Sequence, residues 1–405
     1  MNQLTQIFSL AWRNLFRNSR RTAASIATVA FGAAGLLIYQ GFNEGIMNQY
    51  RENTIRVRYG HGQVFPKGYR DKVLEKPWMA WIEDAAGAEK QLRAVPSVQE
   101  VFPRVSFYSF LIKGGVTLAG RGEGIVPERE NGFFTAMNFE EGRDLESPGD
   151  VILGKGLARS LDAKVGDSVT LLGQTVSGQL NGLDLRVAGI FHTGSKEFDD
   201  TFFRIHLSAA QSFLDTQRVE HFALKTTGVE AWKSVSAEIS QKLPQVDAIA
   251  FDELDKVYYR NAVDFLRSQF IFIRMIILVV VALGIFNTIA AGLLERAPEV
   301  GALRANGESR SRLYRILIFE NVFLGILGGL AGILAATLLD RTLLANGIVM
   351  PPGPGITRSF RIMLEILPLH YTQALLLPAI VAVVASIWPV SRLLRRPITS
   401  LLSSH

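Results

Sequence analysis

The spacing of long apolar runs is the feature that most limits what this chain can fold into. Four stretches, at residues 22–41, 270–294, 313–339 and 375–394, each supply about the 20 apolar helical residues that cross a ~30 Å hydrocarbon core. More than half of the 405 residues separate the first run from the second. The sequence therefore predicts one membrane helix, a large domain outside the membrane, and three further membrane helices.

Composition excludes several classes of protein. The chain contains no cysteine, so it has no disulfide, no thiolate nucleophile and no cysteine-ligated metal. Its net charge of +6 could signal nucleic-acid binding. However, the basic residues cluster beside the apolar runs instead of forming a separate patch, so we expect no nucleic-acid partner.

The arginine clusters predict the orientation of the chain. With four spans, three clusters share one side of the membrane, and the positive-inside rule makes that side the cytoplasm. We therefore expect a multi-pass membrane protein with both termini cytoplasmic and the large domain on the outer side of the membrane. A twin-arginine export signal at Arg20-Arg21 is the alternative, but the run is long and no A-x-A cleavage site closes it. The clusters are Arg13, Arg17, Arg20 and Arg21; Arg296, Arg304, Arg310 and Arg312; and Arg392, Arg395 and Arg396.

The predicted fold class is an α/β membrane protein with a large extracytoplasmic α+β domain between helices 1 and 2. In that domain, a strand at 55–65, a helix at 81–94 and a strand at 98–107 are echoed by the pattern at 221–251. Two such β-α-β halves predict a split ferredoxin-like sandwich, and residues 125–217 predict a β-rich insert. The predicted divisions are an amphipathic cytoplasmic lead-in (1–21), helix 1 (22–42), the extracytoplasmic domain (43–268), helix 2 (269–294), a cytoplasmic coupling segment (295–312), helix 3 (313–339), a short outer loop (340–373), helix 4 (374–394) and a cytoplasmic tail (395–405).

Small residues recur at helical spacing in three of the spans. Four-residue spacing places them on one face, where helix backbones can approach closely. Two interpretations stay open: packing within one chain, or an interface with a second subunit. The residues are Ala24, Thr28 and Gly32 in the first span; Gly284, Thr288 and Gly292 in the second; and Gly325, Gly328, Gly329 and Gly332 in the third.

Two polar residues, Glu320 and Asn321, lie about two turns inside the third span. An ionised carboxylate at mid-membrane costs roughly 2.5–3.5 kcal/mol on insertion scales, so we expect it to face the protein interior and to have a partner. The pair is either a polar switch between two helix packings or a buried hydrogen bond that fixes the bundle.

The segment after the second span, ERAPEVGALRANG at 295–307, is short, charged and tied to two membrane helices. A force applied there would reach both helices with little slack. Glu299 and Arg304 can pair with charges on a partner, while Val300 and Leu303, three residues apart, predict a small apolar knob. A solvated turn that obeys the positive-inside rule is the alternative interpretation.

This string resembles the E-R-x-x-E-[IV]-G-x-L-R-A-x-G signature of FtsX-like ABC transporter permeases, a family that includes lipoprotein-releasing and macrolide-exporter-type systems. The stretches at 150–173 and 389–402 are similar to the family's outer domain and basic tail, and those at 59–64 and 124–130 are similar to its lipoprotein-releasing branch. The resemblance implies that 295–307 is the coupling helix that docks on a cytoplasmic ATPase, although Pro298 and Asn306 depart from the commoner residues. By match, the docking residues are Glu295, Arg296, Glu299, Val300, Gly301, Leu303, Arg304, Ala305 and Gly307.

We expect a non-catalytic subunit without a catalytic, cofactor or metal site, whose ATP and Mg²⁺ are bound by a separate ATPase chain. The string GDVILGKG at 149–156 is a near miss for a phosphate loop, because Gly156 stands where Ser or Thr would hold Mg²⁺. The other expected partners are membrane lipids, a second permease subunit, identical or related, and an adaptor or lipoprotein in the periplasm.

The resemblance implies mechanotransmission: ATP-driven motion of the coupling segment would change the outer domains and release a lipoprotein or another lipid-linked or hydrophobic substrate. Phe42 and Ile46, just outside the first run, are candidate substrate-lining residues. The alternatives are a macrolide-exporter-type efflux permease, an FtsX-like regulator of a cell-wall hydrolase that moves no substrate, and a membrane-anchored enzyme.

Overall fold

The computed structural model describes residues 3–17, 19–70, 76–351 and 359–402. The chain divides into two compact units. The membrane unit takes in Met1–Asn48, Asp264–Val349 and Arg361–His405, and the strand-rich unit takes in Gln49–Val263 and Met350–Phe360. The predicted lead-in, outer loop and tail include positions 1–2, 18, 352–358 and 403–405, which lie outside the described residues.

Helices form most of the membrane unit and connect strands in the other unit. The α-helices of the described residues are α1 (Gln3–Arg17), α2 (Ser19–Thr54), α3 (Ala85–Arg93), α4 (Pro127–Glu130), α5 (Lys155–Ser160), α6 (Lys196–Thr201), α7 (Leu207–Leu214), α8 (Trp232–Lys242), α9 (Phe251–Leu254), α10 (Asn261–Glu295), α11 (Ala297–Ala305), α12 (Arg310–Arg341), α13 (Pro368–Arg395) and α14 (Ile398–Leu402).

Within the described residues, α2, α10, α12 and α13 are the four helices long and apolar enough to cross a membrane. This confirms the predicted number of membrane helices. Each contains one predicted apolar run and continues past it at both ends. The hydrophobic pattern marks only the lipid-facing part of such a helix, whereas backbone hydrogen bonding continues into its polar flanks.

The lead-in helix α1 is amphipathic. Ile7, Ala11 and Leu15, spaced by four residues, are buried along one side, while Trp12 and Phe16 are exposed on the other. The buried side packs on α12, where Ile316 joins the same apolar cluster. The helix is therefore attached to the bundle through its apolar side, and the partly exposed Trp12 also contacts Phe323 of α12, with 5.4 Å between ring centroids.

The strands of the described residues are β1 (Gly62–Pro66), β2 (Val98–Lys113), β3 (Val116–Ile125), β4 (Asn138–Gly142), β5 (Asp150–Gly154), β6 (Ser168–Gln174), β7 (Leu180–His192), β8 (Phe202–His206), β9 (His221–Thr226), β10 (Val246–Ala250), β11 (Ile348–Met350) and β12 (Phe360–Ile362). The sheet of the strand-rich unit has the order β10-β1-β9-β2-β3-β8-β5-β7-β4, and β6 pairs with β2 and β7.

One part of this sheet has the predicted split ferredoxin-like arrangement. Its strands run β10-β1-β9-β2, every neighbouring pair is antiparallel, and α3 and α8 connect β1 to β2 and β9 to β10. The predicted strand at 55–65 is wrong in its first half: Ile55–Tyr59 continues α2 as a π-helical turn, and β1 begins only at Gly62. Alternating apolar residues at 55 and 57 imitate a strand, but both are buried in a helical conformation that ends at Gly60 (φ +65°).

The β-rich insert begins earlier than its predicted start at 125. From Val98 to Arg104, β2 pairs with β9, and from Val105 to Lys113 it pairs with β3. One strand thus belongs to both parts of the sheet. A single buried apolar cluster also runs through both parts, from Val64 and Val101 to Val151 and Leu185. The two parts therefore share one core, in which each fully buried large apolar side chain contributes about 1.5–3 kcal/mol.

Candidate functional site

The predicted coupling segment forms a separate short helix between two spans. α10 ends at Glu295, Arg296 leaves the helical conformation (φ −90°, ψ 1°), and α11 runs from Ala297 to Ala305. Pro298 lies in the first turn of α11, where its missing N–H removes no helical hydrogen bond. Gly307 (φ +90°) then turns the chain toward α12. The departure of Pro298 from the family signature is therefore compatible with the helix.

One face of α11 is buried against the C-terminal helix α14. Val300 is 3% exposed, and Ala297 is buried in the same apolar cluster. A Cβ atom built on Gly301 would lie 2.9 Å from Cβ of Leu401, so α14 could not stay in place beside a larger residue. The glycine of the signature thus permits a close helix contact inside the chain.

Arg304 holds the end of the fourth span. Its Nη1 atom donates to the carbonyl oxygens of Leu394, at 3.2 Å, and Arg396, at 2.6 Å. These carbonyls lie at the C-terminal end of α13, where helix carbonyls lack intrahelical donors and a cation is favourable. Nη1 of Arg304 is thus engaged within the chain, and the pairing of Arg304 with a partner's charge stays a prediction.

A chain of ionic contacts connects α1, α11 and α12. Arg17 pairs with Glu299, and Arg296 Nε lies 3.4 Å from Oε2 of Glu299. Arg296 also bonds Glu320, with 3.3 Å between Nη2 and Oε1, and Asn14 Nδ2 donates to the same Oε1 at 2.7 Å. Burial favours neutral Glu299, but Arg17 and Arg296 outweigh it and hold its pKa below the usual range. Glu299, like Arg304, is thus paired within the chain.

The exposed part of α11 has one large apolar side chain, Leu303, together with the charged Glu299. Leu303 is 45% exposed, whereas Val300 points inward, so the predicted knob of Val300 with Leu303 is wrong. The two residues are three positions apart, but the packing of α14 takes the Val300 side. The other signature residues that are exposed are Glu295, Glu299, Ala305 and Gly307, and the non-signature residues Ala302 and Asn306 are exposed as well.

The intramembrane polar residues have different partners. Both are buried, and the Glu320 carboxylate reaches Arg296 and Asn14, whereas the Asn321 amide donates to Leu317 O of its own helix at 3.0 Å. Sequence spacing does not reveal that Arg296, the second residue of the coupling string, is the partner of Glu320.

The glycines of the third span pack within the chain. Cβ atoms built on Gly325 and Gly329 would meet α13, at 2.6 Å from Ala379 Cα and 3.1 Å from a Leu375 methyl carbon. Those built on Gly328 and Gly332 would meet α2, at 2.5 Å from Val29 Cβ and at 2.5 Å from the Ala30 carbonyl oxygen. α12 therefore presents two glycine faces to two neighbouring helices of the same chain.

The small residues of the first two spans also meet each other. A Cβ on Gly32 would lie 2.6 Å from a Val281 methyl carbon, and one on Gly284 would lie 3.8 Å from a Thr28 methyl carbon. Nearer the coupling segment, Gly292 lies against the Arg21 guanidinium. Thr288 lines the same region, and Ala24 is exposed. These positions favour the intrachain interpretation of the small-residue pattern.

The candidate substrate-lining residues Phe42 and Ile46 are half-buried on α2. The residue before each of them, Gly41 and Gly45, takes part in a contact that was not predicted from the sequence. The backbone after β12 crosses α2 at Gly41 and Gly45, where a Cβ on Gly45 would lie 2.0 Å from Met363 O, and Glu365 N donates to Gly41 O at 3.0 Å. The four-residue spacing of these glycines was a usable signal.

The strand-rich unit contains a buried charge cluster that the sequence analysis also missed. Arg104 donates to Glu130 at 2.9 Å and to both oxygens of Glu123 at 3.1 Å, and Arg204 donates to Glu123 at 2.9 Å. All four side chains are almost completely buried. Burial disfavours ionised Glu123, but Arg104 and Arg204 hold its pKa at about 2, whereas burial raises the pKa of Glu130.

The same arginines bind the residues that follow α2. Arg104 Nη1 donates to the carbonyl oxygen of Arg58 at 2.8 Å, and Arg204 Nη2 donates to that of Val57 at 2.9 Å. Carbonyls at a helix end need outside donors, and these two come from β2 and β8. Among the described residues, no group of three His, Asp or Glu side chains is placed to hold a metal ion.

Sequence comparison identifies the family. The profile of the MacB-like periplasmic core domain matches residues 22–242, more than half of the chain, and that of the FtsX-like permease C-terminal region matches residues 271–398. The chain belongs to the FtsX-like, MacB-type permeases. The fold class expected from sequence, with a MacB-like domain between the first two membrane helices, is confirmed by this match and by the four helices.

Named relatives place this permease among ABC transporter subunits of the Lol and MacB type. It is 24% identical to the lipoprotein-releasing system transmembrane protein LolE of Haemophilus influenzae over 394 residues, 93% of this chain and 92% of that protein. It is 26% identical to LolC of Neisseria meningitidis serogroup B, covering 78% of this chain and 76% of LolC. The macrolide export ATP-binding/permease protein MacB of Sodalis glossinidius is 23% identical over 83% of this chain, which spans 52% of that protein.

Proposed function

We propose that this permease couples a separate cytoplasmic ATPase to movement of its strand-rich unit, and itself performs no catalysis. The observation that carries the proposal is that one face of α11 is held within the chain while Leu303 on another face is exposed. Val300, Gly301 and Arg304 hold the helix to the end of the chain, and Arg296 holds it to α12. Leu303 remains outside as an apolar contact for the ATPase.

Contacts within each unit support a route for the motion. A displacement of α11 acts on α12 through Arg296 and Glu320, and α12 packs on α2 at Gly328 and Gly332. α2 continues directly into residues 55–59, where the carbonyl oxygens of Val57 and Arg58 accept hydrogen bonds from the buried arginines of the strand-rich unit. Close-packed interfaces of this kind transmit displacement because they do not deform continuously.

We propose an inner-membrane location with α11 and both termini in the cytoplasm and the strand-rich unit in the periplasm. The arginine clusters beside the spans support this orientation. Because the chain has no cysteine, single-cysteine variants test it directly. A cysteine at Leu303 should react with an impermeant maleimide only after the cells are opened, and one at Tyr108, exposed on β2, should react once the outer membrane is permeable. The reverse labelling would overturn the orientation.

We propose an acylated protein or another lipid-linked molecule as the cargo. The names of the LolE and LolC relatives, which match most of this chain, support this class of cargo. Two permease subunits, identical or related, would enclose the lipid, with Phe42 and Ile46 of α2 as contacts. A periplasmic acceptor or adaptor would take the product.

The test is reconstitution of the permease with a co-purified ATPase in vesicles loaded with radiolabelled acylated protein. ATP-dependent release, absent with an ATPase whose catalytic glutamate is replaced, is the expected result. ATPase activity stimulated by a macrolide together with an adaptor, without release of acylated protein, would instead support the efflux alternative that the MacB relative suggests. Association with a cell-wall hydrolase and no release would support the regulator alternative.

A further inference from the structure

We propose that Arg21 and Ser25 form a binding site for a phosphate group, and that a phospholipid headgroup of the membrane supplies it. The two residues line a cavity of about 60 Å³ between α1, α2, α10 and α12. They lie one turn apart on α2 and therefore on the same face. A cavity of this volume holds a few water molecules or one compact anionic group.

The lining of the cavity has one more arginine than it has carboxylates. It contains three arginines and two carboxylates: Arg17, Arg21, Arg296, Glu299 and Glu320. Both carboxylates are bonded by Arg17 or Arg296. Arg21 has no hydrogen bond or ion pair with any described residue. Glu295, which is exposed and does not line the cavity, also attracts Arg21 electrostatically, so the site is marked less by net charge than by the unbonded N–H donors of Arg21, which a bound anion would accept from.

The other donors around the cavity are already engaged. The hydroxyls of Thr22 and Thr288 donate to carbonyl oxygens at 2.5 and 2.9 Å, and the Asn14 amide donates to Glu320. The Ser25 side chain is 8% exposed, and its hydroxyl has no partner among the described residues. Arg21 and Ser25 are thus the lining donors that remain for a ligand.

The position of Arg21 depends on a glycine of α10. A Cβ atom on Gly292 would lie 3.0 Å from Nε and 3.3 Å from Cζ of Arg21. The absence of a side chain there lets the guanidinium lie along α10 instead of turning into solvent. A planar guanidinium offers paired N–H groups that match the oxygens of a phosphate.

The place of the cavity favours a lipid as the source of the phosphate. Arg21 lies at the first turn of one span and Gly292 in the last turn of another, at the depth where headgroups meet helix ends. The exposed Trp12 and Phe16 of α1 provide an apolar surface on the neighbouring lead-in helix. Basic sites between helix ends on the cytoplasmic side attract anionic lipid headgroups. Assignment to the cytoplasmic leaflet rests on the proposed orientation, but the phosphate chemistry does not.

Native mass spectrometry of the purified full-length permease tests the proposal without ATPase or transport measurements. Protein exchanged into mixed micelles of phosphatidylglycerol and phosphatidylcholine should retain phosphatidylglycerol. Arg21→Gln should lower the retained fraction at least about tenfold, the loss expected for a hydrogen bond to a charged group, whereas the non-specific attraction of one basic residue to a membrane surface accounts for about fivefold at most. Ser25→Ala and Gly292→Val should lower it in the same direction. Arg20→Gln is the matched control, because Arg20 is exposed and does not line the cavity.

A second experiment distinguishes a phospholipid from free phosphate as the source of the anion and tests whether the site exists. Delipidated permease is titrated with inorganic phosphate while its thermal stability is measured. Phosphate-dependent stabilisation that Arg21→Gln abolishes, with no lipid retained, would keep the anion site and overturn the lipid source. Equal retention of lipid by the parent, Arg21→Gln and Arg20→Gln, with no response to phosphate, would overturn the site itself.

Discussion

Arg296 and Glu320 form a largely buried ion pair that joins the break between α10 and α11 to the interior of α12. Two guanidinium nitrogens reach the carboxylate, and the side chains are only 14% and 7% exposed. Such a pair adds little net stability compared with apolar residues, but removing one partner leaves an uncompensated buried charge. The main role of the pair is therefore to fix the position at which the coupling segment meets α12.

Replacing Glu320 alone should destabilise the permease strongly. Glu320→Leu leaves the buried Arg296 guanidinium with only its 3.4 Å contact to the half-exposed Glu299, and we expect the free energy of unfolding in mixed micelles to fall by up to about 3 kcal/mol. The matched control is the double variant Arg296→Met/Glu320→Leu, which removes both charges and should recover most of the loss. A single variant as stable as the parent would contradict the role given to the pair.

Gly301→Leu should separate α11 from α14. The new side chain would overlap Leu401, and overpacking of this kind costs about 1–3 kcal/mol. Leu401 is buried in the parent, so a cysteine introduced there by Leu401→Cys should not react with a maleimide. In combination with Gly301→Leu, we expect this cysteine to become reactive. ATP hydrolysis by the assembled complex should continue while release of cargo stops. Unchanged labelling would show that α14 accommodates the larger side chain.

Leu303→Asp should weaken binding of the ATPase without unfolding the permease. Leu303 is exposed, so the folded chain loses little packing, whereas an apolar contact at the centre of an interface is worth more than about 1 kcal/mol. Binding measured by biolayer interferometry should therefore fall at least about fivefold. The control is Arg310→Asp, an exposed charge change outside α11. Equal weakening by both variants would point to general electrostatics.

Sequence patterns predicted those elements whose signals are local. Four apolar runs gave four membrane helices, and the two β-α-β patterns gave the antiparallel order β10-β1-β9-β2. The strand predicted at 55–65 failed because a π-helical turn can bury residues two apart, as a strand does. The start of the insert at 125 was late because β2 changes its pairing partner in mid-strand, which no local pattern records.

The coupling string illustrates the same limit at the site. Its place between two spans follows from sequence, but the partners of its side chains do not. Arg304 bonds carbonyls some ninety positions away, and Glu299 pairs with Arg17 near the start of the chain. Val300 and Leu303 have similar chemistry, and only the packing of α14 decides which of them is exposed. Long-range contacts therefore assign roles that residue type leaves open.

Gly328→Leu should destabilise a single permease subunit. The glycine packs on Val29 of α2 within the chain, so a larger residue forces the two helices apart at a cost of about 1–3 kcal/mol. Unfolding of the monomeric protein in micelles measures this effect. Ala335→Leu, an exposed position on the same helix, should change the stability by less than about 0.5 kcal/mol. A monomer that tolerates Gly328→Leu, with loss of dimer only, would restore the intersubunit interpretation of the glycine pattern.

The low pKa of Glu123 predicts an acid limb, meaning a loss of stability of the strand-rich unit as the pH falls. Although burial opposes its ionisation, Arg104 and Arg204 lower its pKa from 4.5 to about 2. A carboxyl whose folded pKa lies below its unfolded pKa stabilises the fold above the unfolded value, and this contribution is lost as the pH falls toward the folded value. At 1.36 kcal/mol per pKa unit, about 2 kcal/mol should be lost by pH 3. Glu130, whose pKa is raised by burial, contributes in the opposite direction.

Intrinsic tryptophan fluorescence of the full-length permease in micelles, followed during thermal unfolding from pH 7 to pH 3, measures this limb. Glu123→Gln removes the titrating group, so its stability should be lower than that of the parent at pH 7 and flatter between about pH 4.5 and pH 3. Glu128→Gln is the control, because that carboxylate is 66% exposed and should leave the limb unchanged. Because Arg104 and Arg204 also donate to the carbonyl oxygens of Arg58 and Val57, Glu123→Gln should weaken these contacts as well. Parallel pH curves for the parent and Glu123→Gln would show that other carboxylates produce the acid limb.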